Sequence, residues 1–137
     1  MTPRPLPAVA AAPLLAALLL AAAPAAAEPA GAGDPEKGKA LFRACAFCHT
    51  LGPDGGRRAG PTLHHLFGRE AGSVAGYAYS DALRNSGIVW TEDTVSRLFE
   101  VGPDTMTPGS KMPLQRMTDA GQRADLIAYL RRATAAP

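Results

Sequence analysis

The chain has 137 residues, 47% of them hydrophobic and 19% charged, with a formal net charge of +2 and two cysteines. That length leaves room for one small domain once an apolar N-terminal stretch is set aside. The near balance of charge, without a basic run, excludes a nucleic-acid-binding surface as the dominant feature.

Residues Met1 to Ala27 hold one charge, Arg4, then an apolar run from Ala8 to Ala23 and the small-residue site Ala25-Ala26-Ala27. This is the layout of a secretory signal peptide. The stretch from Pro5 to Ala27 approaches the length of a membrane span. Pro13, Pro24, the alanine-heavy composition and the A-x-A site favour cleavage over a retained anchor. A bacterial periplasmic location is therefore expected, with residues 28–33 as a short linker and 34–137 as the folded domain. Without Arg4, residues 28–137 carry a formal charge of +1. Export would also place Cys45 and Cys48, the only cysteines, where an unprotected pair oxidises to a disulfide. Something must use or protect them.

Asp34-Pro35-Glu36 supplies an N-cap, a proline at the first helical position and an early acidic residue. The pattern predicts a helix from there to about Ala46. From Thr50 to Tyr79 the chain is rich in Gly and Pro and shows no strand-length alternation, which predicts a long irregular loop. Such loops are uncommon unless something organises them, and a large cofactor is one such organiser. A short helix is predicted over Ser80 to Asn85, stopped by Ser86-Gly87. Thr91-Glu92-Asp93 caps the next, with Val95, Leu98, Phe99 and Val101 at helical spacing and Gly102-Pro103 as its end. Asp104 to Met117 then reads as a loop holding three of the four methionines. A last helix begins near Thr118 or Asp119. Leu126, Ile127, Tyr129 and Leu130 form its apolar stripe, and Arg131-Arg132 sits near the negative end of its dipole. The fold class expected is all-α, with loops wrapped around one large ligand.

Cys45-Ala46-Phe47-Cys48-His49 is a C-x-x-C-H sequence, the attachment signature of c-type haem. Two thiols three positions apart can each add across one vinyl group of a porphyrin, and the adjacent histidine is then held beneath the iron. A thioredoxin-like redox pair needs a βαβ context that is absent. A zinc site would have to draw on Cys45, Cys48, His64 and His65. Adjacent histidines are expected to splay apart, and the usual separation of about three to five residues is missing.

Around that motif, Gly33 to Phe42, Gly60-Pro61-Thr62-Leu63-His64, Leu66-Phe67-Gly68-Arg69, Gly87 to Thr94, Pro108-Gly109-Ser110-Lys111-Met112 and Asp125 to Leu130 resemble the class I cytochromes c. The likeness runs in order over nearly all of residues 33 to 134. It implies a small cytochrome c fold in which the N- and C-terminal helices cross, with Gly38 and Phe42 meeting Leu126 and Tyr129. It implies one haem c attached through Cys45 and Cys48, with His49 as the proximal iron ligand and Met112 as the opposite one. Met106 and Met117 are rival donors, but only Met112 follows the Pro108 to Lys111 turn. A soft thioether favours ferrous iron, so His/Met ligation raises the potential. By the same resemblance the Pro61 carbonyl accepts the outer ring N–H of His49, and Arg69, Tyr79 and Trp90 donate to a buried haem propionate. Leu83 and Leu98 replace an asparagine and a tyrosine of the mitochondrial pattern, while Ser110 keeps a hydroxyl. The side of the haem facing Met112 is therefore expected to be drier, because two leucines leave an internal water too few polar partners.

The function implied is one-electron transport through Fe(II)/Fe(III) haem by a monomer that is not an enzyme. Its partners would be redox proteins such as a bc-type complex, an oxidase, a reaction centre or a dehydrogenase. An open-site haem enzyme or gas sensor, and a fixed subunit of an oxidase or dehydrogenase, are the alternatives. Arg43, Arg58, Lys111 and Arg116 are the candidates for a basic docking ring, weakened by Asp104.

Overall fold

The computed structural model describes residues 1–2, 32–55, 58–113 and 115–135. Apart from residues 1–2, the expected signal peptide lies outside the described residues, as does the linker as far as residue 31. The described residues form α1 (Pro35–Phe42), a 3-10 turn at Cys45–Phe47, α2 (Asp81–Arg84), α3 (Glu92–Val101), α4 (Pro103–Met106) and α5 (Ala120–Thr134). None of these helices is long and apolar enough to cross a membrane. The architecture is all-α, as expected.

The Asp34 carboxylate accepts from the amides of Glu36 and Lys37, capping α1, and the Asp34 amide donates to the carboxylate of Asp125 at 2.6 Å. One residue thus starts the first helix and ties it to the last. The crossing itself needs contact between backbones. A β-carbon on Gly38 would fall 2.0 Å from the Asp125 carbonyl oxygen and 2.7 Å from Cβ of Tyr129, so only glycine fits. One turn further on, the rings of Phe42 and Tyr129 lie 5.4 Å apart, in the range of a favourable tilted pair. Phe42, Leu66, Val95, Phe99, Leu126, Ile127 and Leu130 form the core. Leu126 and Leu130 are 1% and 3% exposed, which makes α5 the central element of the packing.

α1 ends sooner than the predicted boundary at Ala46. From Arg43 onward the amides reach back three residues instead of four, Arg43 to Ala40 and Ala44 to Leu41, each at 3.4 Å. The chain tightens, and the Cys45 carbonyl then accepts from both Cys48 and His49 at 3.1 and 2.9 Å. A second difference is α4, inside the segment read as a loop from Asp104 to Met117. Gly102, at φ 91, turns the chain, and Pro103 sits at the first helical position with its angle already set. The predicted irregular loop from Thr50 to Tyr79 is observed, with one addition: segment 68–71 pairs with 88–90. Gly68 donates to Trp90, Trp90 to Arg69 and Ala71 to Ile88, at 2.7–2.9 Å, around a single antiparallel bridge between Glu70 and Val89. Three or four residues a side are too few to leave an alternating pattern in the sequence.

Candidate functional site

α1, α3 and α5, with the loops between them, enclose a cavity of about 1190 Å³ counted to its open mouth. Its walls include all nine residues singled out from the sequence, Cys45, Cys48, His49, Pro61, Arg69, Tyr79, Trp90, Ser110 and Met112. Phe42, Leu66, Leu83, Val95, Leu98 and Phe99 supply most of the apolar lining. Such a cavity suits a sizeable apolar ligand with a few polar handles.

Cys45 and Cys48 are free thiols, each half-buried. Burial pushes the Cys45 thiol above its ordinary range, which keeps it protonated. His49 Nδ1 donates to the Pro61 carbonyl at 2.8 Å. With that nitrogen occupied, Nε2 is left as the basic, ligand-capable atom. Burial lowers the His49 pKa against the opposing pull of that hydrogen bond, favouring the neutral form a metal requires. The ring has room only because residue 60 is glycine. A β-carbon there would fall 2.6 Å from His49 Cε1 and 2.8 Å from Nδ1. The Gly60 amide also bonds the Cys48 carbonyl at 2.8 Å, so the Gly60-Pro61 segment is stitched to the cysteine motif.

Met112 is presented by a tight turn. Gly109 takes a left-handed φ of 82, the Ser110 amide bonds the Thr107 carbonyl at 2.9 Å, and the Ser110 hydroxyl accepts from the Met112 amide at 3.2 Å. Lys111 reaches across the cavity mouth, donating to the Ala78 carbonyl at 2.6 Å. The rivals Met106 and Met117 do not line the cavity; Met117 packs on the core and bonds the Phe99 carbonyl through its amide. Leu83 and Leu98 both face the cavity, as does the 2%-exposed Thr107. Thr107 was not singled out from the sequence; its hydroxyl is spent on the Pro103 carbonyl at 3.1 Å.

Arg69 is held inside its own loop, donating to the carbonyls of His64 and Thr62, the latter at 2.9 Å. Two bonds leave part of its five-donor guanidinium for a further acceptor. Tyr79 is 7% exposed, and burial raises its phenol pKa. Its ring meets that of Tyr77 edge-on at 4.6 Å, and the Tyr77 hydroxyl donates to the Ala59 carbonyl. Tyr77 is a wall residue that sequence reasoning missed, although a Tyr-x-Tyr pair was the available signal.

The expectation that His64 and His65 splay apart is corrected. Their ring centroids lie 3.9 Å apart, because His65 adopts a left-handed φ of 52 that swings its side chain back toward His64. The zinc alternative still finds no support, since no three His, Cys, Asp or Glu side chains gather among the described residues. Of the candidate basic ring, Arg58 donates to the Ala46 carbonyl at 2.6 Å and Arg116 pairs with Asp104 at 3.6 Å. Together with the Lys111 bond, this leaves Arg43 as the member of the four whose side chain makes no bond to the described residues. Phe47, four residues along the chain from it, is 81% exposed.

The family model described as Cytochrome c matches residues 35–134. A cytochrome c of Gibberella zeae is 48% identical over 103 residues, covering 74% of this chain and 96% of that protein. A cytochrome c2 of Blastochloris viridis is 44% identical, covering 75% and 80%, and one of Rhodomicrobium vannielii is 41% identical, covering 72% and 78%. A match across the whole helical domain, with Cys45 and Cys48 at the spacing that fits one covalently bound haem c, places this chain in the cytochrome c family as a class I c-type cytochrome.

Proposed function

We propose that this haem electron carrier works in the bacterial periplasm as a monomer, with His49 and Met112 as the residues that would hold its iron. Residues 1–27 act as a cleaved signal peptide, 28–33 as a linker and 34–137 as the carrier domain. One observation carries the assignment: a single apolar cavity gathers two unlinked cysteines, a histidine oriented by a backbone carbonyl and one of three clustered methionines.

The bound haem supplies a one-electron Fe(II)/Fe(III) couple. The chain's own residues then have distinct tasks. Cys45 and Cys48 would tether the porphyrin. Pro61 orients His49 and keeps its Nε2 basic. The Ser110 turn fixes Met112, whose soft sulfur favours the reduced metal. Arg69, Tyr79 and Trp90 would supply N–H and O–H donors to a propionate, which could not otherwise stay charged out of water. His49 and Met112 would together hold the iron, leaving no position for a substrate, so the site would accept and release electrons only. The partners are redox proteins: a bc-type complex, an oxidase, a reaction centre or a dehydrogenase.

Replacing Met112 with alanine tests the assignment. The ferric holoprotein is expected to lose the weak far-red absorption of iron–thioether ligation, and the ferrous form to bind carbon monoxide that the parent resists near neutral pH. Persistence of the far-red band in Met112→Ala would move the ligand to another methionine. Ready carbon monoxide binding by the parent would instead indicate an open site and an enzyme or gas-sensing role.

A further inference from the structure

We propose that His64 and His65 form a chelating site for a divalent transition-metal ion, copper(II) foremost, on the loop between Thr62 and Arg69. The two imidazole centroids are 3.9 Å apart with their planes inclined by 50°. A metal bound by two imidazole nitrogens at about 2.0–2.1 Å and near a right angle places the ring centroids about 4.5 Å apart. The observed pair is about 0.6 Å from that spacing by the same estimate.

The backbone around the pair is tied down on both sides. The His64 amide bonds the Thr62 hydroxyl at 3.1 Å, and the His64 carbonyl accepts from Arg69. The His65 amide bonds the Thr134 carbonyl at 2.9 Å, at the end of α5. His65 carries the one left-handed φ of a non-glycine residue among the described residues. Such a conformation is uncommon for side chains other than Asn, Asp and His, and it is what brings two consecutive rings together. Both rings are accessible, His64 half-buried and His65 exposed. Two imidazoles suit copper, nickel and zinc, and for one donor set copper(II) binds most tightly. No further His, Cys, Asp or Glu completes the group among the described residues, so water fills the remaining positions. Copper(II) tolerates this in its tetragonal geometry.

The test uses the ferric holoprotein titrated with copper(II), with His64→Asn, His65→Asn and the double variant in parallel. Asparagine suits the substitution because it also tolerates the left-handed conformation at 65. The haem absorbance spectrum reports that each variant is folded, and His65→Gly serves if the asparagine variant is not. Wild type is expected to bind one copper(II) whose paramagnetic resonance shows two imidazole nitrogens. Each single variant should weaken binding by about tenfold or more, through loss of the chelate. The double variant defines background binding at the terminal amine. Wild-type affinity equal to that of the double variant, or loss in only one of the single variants, would overturn the chelate. Neither result depends on which methionine ligates the haem iron.

Discussion

At the scale of single residues, two predictions follow from how His49 and Tyr79 are housed. Gly60→Ala places a methyl carbon inside the contact distance of the His49 ring. The cost is expected to be about 1–3 kcal/mol, as for other overpacked sites, seen as a lower denaturant midpoint. Because the imidazole must move, the hydrogen bond to Pro61 should weaken with it. Tyr79 makes a statement about pH. Burial favours its neutral phenol, so its folded pKa lies above the ordinary value, with burial the main cause and Arg69 nearby pulling the other way. A group raised on folding contributes stability that is fully present below its unfolded pKa, about 10 for tyrosine, and lost as pH rises through the folded value. Stability should therefore begin to fall above about pH 10, and fall less in Tyr79→Phe. Denaturant titrations of the two proteins at rising alkaline pH check this; parallel curves would show that Tyr79 is not the group responsible.

Among the elements, the crossing of α1 and α5 is the joint on which the domain depends. It combines a backbone approach at Gly38, the cap and tether at Asp34 and the Phe42–Tyr129 ring pair. Gly38→Ala puts a carbon 2.0 Å from a backbone oxygen, where no flexible side chain can give way. The helices must separate, at an expected loss of about 3 kcal/mol or more. Urea unfolding of the holoprotein measures it, and a change below about 1 kcal/mol would mean that the crossing relaxes without strain. α3 is held differently. Its N-terminus has a capping box formed by Thr91 and Thr94, while Val95, Leu98 and Phe99 point inward. Its exposed Glu92 meets Arg131 of α5 at 3.2 Å, a surface pair that contributes little.

For the whole molecule, charge bears on how partners are met. The formal charge is near neutral once Arg4 is excluded, and three of the four candidate docking cations are bonded to neighbouring groups. Long-range steering should be weak. The rate of electron transfer to a redox partner is therefore expected to fall less than about tenfold between low and physiological ionic strength, in contrast to strongly steered pairs. Stopped-flow kinetics across a salt series check this, and a steep decline would mean that the basic ring acts despite its internal bonds. Phe47, exposed beside the cysteine motif, offers an apolar contact that salt does not screen.

Much of this was legible in the residues themselves. Capping boxes, turn glycines and the period of Val95, Leu98 and Phe99 are local, and local rules placed α1, α2, α3 and α5 to within a few residues. C-x-x-C-H names its chemistry because three reactive groups lie within five positions. Other features were decided only by the fold. The early tightening after Phe42, the one-turn α4 and the pairing of 68–71 with 88–90 depend on contacts too short or too distant to leave a period in the chain. Thr107 and Tyr77 became wall residues because loops far apart in sequence close on one space. His64 and His65 carry no sign in the sequence of the close approach of their rings: that required a left-handed backbone at 65, held by the end of a helix about seventy residues away. Sequence determines what each segment prefers alone, whereas the approach of distant segments depends on packing the whole chain at once.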